Sequence, residues 1–200
     1  GMPLGGFGAG CIGRSSRGDF NLWHLDGGEH WYGTIPDCQF ALFESNGSSK
    51  RAHALAVKPE ADASRPNSGE PLAAWDWYPA STPELSTGTY AARYPLSWTR
   101  YEGVYDAEVS CEAFSPILPG DYQRTSYPVA VFRWTLHNPT DQPLDLSLLL
   151  TWRNTVGWFF NTDPSAEVHF RDDGSPEHNY APAIGQGEGQ RNRWLDQEGV

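Results

Sequence analysis

The chain has 200 residues, 38% of them hydrophobic, with 14 Lys and Arg against 25 Asp and Glu and a formal charge of −11. So acidic a chain lacks the basic footprint that nucleic acid or an anionic membrane surface requires, and no apolar run approaches a membrane span. Length fits one domain or a large part of one, while Cys11, Cys38 and Cys111 are too few and too scattered for a disulfide framework or a zinc pattern. With no signal peptide in view, the composition points to a reducing, cytoplasmic setting.

In chain order, the first stretch is GMPLGGFGAGCIGRSSRGDF, in which Gly8, Gly10 and Gly13 spell G-x-G-x-x-G. A dinucleotide loop needs a strand before it and a helix after it. Only a few residues precede it, Pro3 among them, and RSSRGDFNLWHL has no apolar stripe at helical spacing. A close-packed entry segment is the better reading, since glycine lets neighbouring backbone approach. DFNLWHL is a weak strand candidate. His24, Asp26, Glu29 and His30 then cluster in WHLDGGEH, but the paired glycines make a turn rather than the rigid frame a metal site needs. No metal and no cofactor are predicted.

CQFALFES, HALAVKP and SWTRYEG are further weak strands, and residues 60–89, rich in Pro, Ala, Ser and Thr, read as a surface excursion. The strongest pattern is YDAEVSCEAFSP, where Ala107, Val109, Cys111 and Ala113 alternate with polar residues. Next in the chain is YPVAVFRWTLHN, with Ala130, Phe132, Trp134 and Leu136 on one face. After the breaker PTDQP comes LDLSLLLTWRN, with Leu144, Leu146, Leu148, Leu150 and Trp152 on one face. These two strands read as an antiparallel hairpin sharing one core. Residues 171–193 read as a polar loop, and WLDQEGV as the start of another apolar element, so the chain reads as the N-terminal part of something larger. With 21 Gly and 16 Pro breaking every segment, the predicted fold is all-β, an antiparallel sandwich spanning 1–200 and incomplete.

Nine Trp, nine Tyr and nine Phe suit either a sandwich core or sugar stacking, because Trp and Tyr pair a flat apolar face with a polar edge. No G-x-S-x-G elbow occurs, and sequence spacing selects no carboxylate pair at the roughly 5–5.5 Å that a retaining glycosidase needs. The residues by themselves specify an aromatic-rich β-sandwich without a catalytic constellation.

The ordered blocks carry more. Gly5, Gly6, Gly8 and Gly10, then Arg17, Gly18, Asp19, Phe20 and Trp23, followed by CQFALFE, YPLSWTRYEG, EAFSPILPGD and YPVAVFRWTLHNPTDQPLDLSLLLTWRN, resemble the N-terminal domain of the bile-acid β-glucosidases, the non-lysosomal glucosylceramidases. The likeness runs from residue 1 to about 160. It implies a β-sandwich that packs on a C-terminal barrel of paired helices, in an enzyme that hydrolyses β-glucosides, glucosylceramide among them, with retention. The family's catalytic carboxylates belong to the helical domain, so the resemblance places no catalytic residue in this chain. It makes Gly5, Gly6, Gly8, Gly10, Arg14 and Trp23 candidates for the domain interface or the substrate mouth, against an internal turn of the sandwich for the glycine segment and core burial for Trp23, which is the better reading of that residue. The competing readings are a free-standing carbohydrate-binding module and a purely structural domain.

Overall fold

The computed structural model describes residues 1–26, 29–59, 76–153, 169–170 and 176–177. The chain divides into two compact units, Gly1–Trp152 and Arg153–Val200. The described part of the second is a short antiparallel pair, β13 (His169–Phe170) and β14 (Pro176–Glu177). The loop at 171–193 and the element at WLDQEGV otherwise lie outside the described residues.

Among the described residues, the first unit holds three four-stranded sheets. The entry sheet runs β1 (Met2–Leu4), β2 (Cys11–Arg14), β3 (Phe20–Asp26), β4 (Glu29–Tyr32). A second sheet, named for β5 (Gln39–Ser45), also holds β6 (Lys50–Val57), β7 (Asp76–Tyr78) and β12 (Asp145–Thr151), in the order β12-β5-β6-β7. A third, named for β10 (Glu108–Phe114), holds β8 (Gly88–Arg93), β9 (Leu96–Tyr101) and β11 (Val131–His137), in the order β11-β10-β9-β8. Among the described residues of this unit, pairing is antiparallel except between β6 and β7. A short helix, α1 (Tyr122–Thr125), is capped by Asp121, whose carboxylate accepts the Arg124 N–H.

The alternation read from the sequence sets the faces. Val109, Cys111 and Ala113 of β10 are buried. Their cross-strand partners Leu136, Trp134 and Phe132 on β11 share that face. Phe40 of β5 meets this face, with ring centroids 4.9 Å from Phe132 and 5.0 Å from Trp134. The β5 and β10 sheets thus pack face to face as a sandwich. The entry sheet joins the same core through Phe20, 5.7 Å from Phe132 and 5.2 Å from Trp152. Met2 and Leu4 of β1 pack on Ala113.

Three expectations are corrected. A strand does precede the glycine-rich segment: β1, which pairs with β2 through Pro3↔Gly13. The segment then leads into strands β2 and β3 rather than a helix, so the nucleotide reading still fails. Residues 60–89 are not wholly a surface excursion, because β7 lies within them and Tyr78 is buried. The third concerns the hairpin. β11 pairs with β10, and β12 pairs with β5. The link between them crosses from one sheet to the other. Two strands that each carry a bulky inward row fill a core from opposite sides, and period-two alternation reports the face but not the neighbour. Leu146, Leu148 and Leu150 do lie on the Phe40 side of their sheet. As an edge strand, however, β12 leaves Leu148 and Leu150 37% and 46% exposed.

Candidate functional site

Arg14 ends β2 inside this core. Its Nε donates to the Gly18 carbonyl at 2.9 Å, and its Nη2 donates to the Tyr101 hydroxyl at 2.5 Å and the Leu55 carbonyl at 3.4 Å. Its guanidinium carbon lies 5.5 Å from the Phe40 ring centre and 5.4 Å from that of Trp134. Buried cations are costly unless hydrogen-bonded. Here carbonyls, a hydroxyl and two π faces replace water. Tyr101 in turn donates to Leu55 O at 2.8 Å and stacks on Trp134. One guanidinium therefore ties all three sheets together.

The neighbouring motif residues are staples of the same kind. Asp19 accepts from the Ser15 hydroxyl and, at 2.5 Å, from Thr34 Oγ1. Arg17 donates to Lys58 O. Trp23 is fully buried beside Phe20 and Trp152, and its indole N–H goes to Gly33 O at 2.8 Å. Glu44, also buried, accepts from the backbone N–H groups of Asp106 and Ala107 and from Arg51. Sequence reasoning missed Glu44 and the burial of Arg14, because an isolated Arg or Glu reads as a surface residue. The stretch CQFALFE flagged the strand but not the carboxylate's task.

The glycines lie apart from this core box, along the loop joining β1 and β2. Gly6 is buried, and a Cβ there would stand 2.4 Å from the Ser126 and Tyr127 carbonyl oxygens. Phe7 N–H donates to Thr125 O at 2.9 Å. Gly5 N–H donates to Ser115 Oγ at 2.8 Å, and Gly10 abuts His24 O. Gly8, at φ +74°, has open space where a side chain would go. The loop is thereby clamped onto the 115–129 segment, where Thr125 Oγ1 also bridges to both backbone groups of Leu118. Phe7 is 66% exposed and Tyr122 76%, with Leu118, Tyr127 and Val129 exposed on the same two segments. The structure thus brings Gly5, Gly6, Gly8 and Gly10 together at a surface, and places Arg14 and Trp23 in the interior.

Among the described residues no three His, Cys, Asp or Glu are grouped as for a metal ion. None of the described helices is long and apolar enough to cross a membrane. No disulfide joins the three cysteines. Burial pushes the Cys111 thiol up to about 11, against the opposing effect of Arg14.

Residues 1–198 match the family described as beta-glucosidase 2, glycosyl-hydrolase family 116 N-term. The match spans all three sheets and both the glycine loop and the Arg14 box, so the chain belongs to the family of N-terminal domains of family 116 β-glucosidases.

Proposed function

We propose that this is the non-catalytic N-terminal domain of a cytoplasmic retaining β-glucosidase of the glucosylceramidase type, docked on a C-terminal helical catalytic domain. The observation that carries the reading is the glycine-loop face. Phe7, Leu118, Tyr122, Tyr127 and Val129 stand exposed on backbone held by Gly6 and Thr125. An apolar, aromatic patch on a rigid base suits association. The family's designation as an N-terminal domain supports the rest of the same protein as its partner. On this reading Gly5, Gly6, Gly8 and Gly10 shape the contact near the substrate mouth, while Arg14 and Trp23 stiffen it from beneath. The substrate is a β-glucoside, glucosylceramide included, and the catalytic carboxylates come from the partner domain.

The test is made in the intact enzyme with Phe7→Ser combined with Tyr122→Ser. Both side chains are exposed, so the sandwich itself should be nearly indifferent to the change, within about 0.5 kcal/mol. Lower turnover of an aryl β-glucoside and easier proteolytic separation of the two domains are expected. Unchanged turnover and unchanged proteolysis would remove the face from the interface.

A further inference from the structure

The outward face of the β10 sheet is distinct from both the core box and the glycine loop. Four residues stand level across its strands: Ala91, Trp98, Glu112 and Arg133. One pleat along, Arg100 pairs with Ser110. Trp98 is 43% exposed in the sheet interior rather than at a chain end or loop tip. Ala91 beside it is too small to cover the indole. On the other side, Glu112 holds the Arg133 guanidinium in an ion pair. These residues line a groove of about 380 Å³, within the size range of small-ligand sites.

We propose that this groove binds a neutral β-linked glucosyl unit. A hexopyranose presents C–H groups on its ring faces and hydroxyls around its rim. It therefore asks for one aromatic plane bordered by both donors and acceptors. Trp98 supplies the plane. Arg100 and Arg133 supply donors, and Glu112 and Ser110 supply acceptors. Because Arg133 is already held by Glu112, little rotamer freedom is lost on binding. A protein partner would want several large apolar side chains here, and Trp98 is the only one among these six residues. Nucleic acid is disfavoured by the net charge of −11. Sheet spacing suits a sugar too, since adjacent strands lie about 4.8 Å apart, and a ring over Trp98 reaches both flanking strands. The choice of a β-linked glucosyl unit rests on the β-glucoside reading of the parent enzyme, though not on the glycine-loop face.

The intact protein, ¹⁵N-labelled at its tryptophans, the nine of this chain among them, is titrated with thiocellobiose, whose sulfur-bridged linkage resists hydrolysis. The Trp98 indole signal is identified by its loss in Trp98→Ala, with the other indole signals reporting that the fold is kept. That signal should move saturably with a midpoint of about 1–10 mM, as expected of a single-sugar contact of roughly 3–4 kcal/mol. Trp98→Tyr should retain binding. Arg133→Ala should raise the midpoint about tenfold, the equivalent of about 1.4 kcal/mol. A Trp98 signal unmoved at about 50 mM sugar, or an identical titration in Arg133→Ala, would overturn the proposal.

Discussion

Arg14 behaves as a structural cation, and its variants separate two contributions. Arg14→Ala leaves a cavity among Phe40, Tyr101 and Trp134 and strips Gly18 O of its partner. A loss of about 3 kcal/mol or more is expected from chemical unfolding. Arg14→Met should cost less than Arg14→Ala, because it refills the space and removes a charge that is expensive to bury. Tyr101 still keeps its bond to Leu55 O. His53 gives the pH prediction. Burial lowers its pKa, Arg51 lowers it further, and Asp76 opposes. Its ring sits against Tyr78 and Tyr105. The folded state therefore binds fewer protons than the unfolded state. Its contribution to stability is complete above the unfolded value near 6.5 and declines as pH falls below it. His53→Phe should flatten the stability profile between about pH 5 and 7, as read from unfolding midpoints. Neither residue's setting was visible in the sequence. Arg14 sits in a Gly/Ser-rich run without periodicity, and two of its three acceptors come from positions 55 and 101, which no local window joins.

Among the elements, the glycine loop makes a graded prediction. Gly6→Ala drives a methyl into two carbonyl oxygens of the 126–127 backbone and should cost about 1–3 kcal/mol as a forced overpacking. Gly8→Ala meets no atoms and incurs only the left-handed backbone penalty of about 1 kcal/mol. Thermal melts of the two variants should rank in that order. The strands that were legible, β3, β5, β6 and β9 to β12, owe it to clean alternation or dense apolar content. β1, β7 and β8 were not, for physical reasons. β1 and β7 are three residues long, and β8, reading Gly-Thr-Tyr-Ala-Ala-Arg, is mostly exposed along its length. Short or wet strands leave no periodic trace. The false hairpin between β11 and β12 has a different origin. Its proline-bracketed link satisfies a turn within a sheet and a crossing between sheets equally well. Only the fit of Phe132 and Trp134 against Phe40 selects the crossing.

At the scale of the whole molecule, family membership and the absence of a catalytic constellation in the sequence lead to one functional prediction. The domain alone should not turn over an aryl β-glucoside, whereas the enzyme that contains it should. Hydrolysis requires a proton donor at the leaving oxygen and a second carboxylate at the anomeric carbon. The most deeply buried carboxylate described, Glu44, is already committed to Arg51 and two backbone N–H groups. Turnover by the isolated domain at the rate of the intact enzyme would relocate the active site. The pairing of β5 with β12 also governs how the molecule is made. Gln39 and Thr151 exchange hydrogen bonds across 112 positions of chain. At ribosomal speeds of roughly 5–20 residues per second, one side of β5 therefore waits about 6–20 s for its partner to be synthesised. Throughout that interval the nascent chain holds the apolar run Phe40–Phe43 with an unpaired ladder edge. Such an edge invites pairing with another nascent chain on the same message. Codon choice upstream of residue 145 and access to ribosome-bound chaperones should therefore influence the soluble yield of this protein.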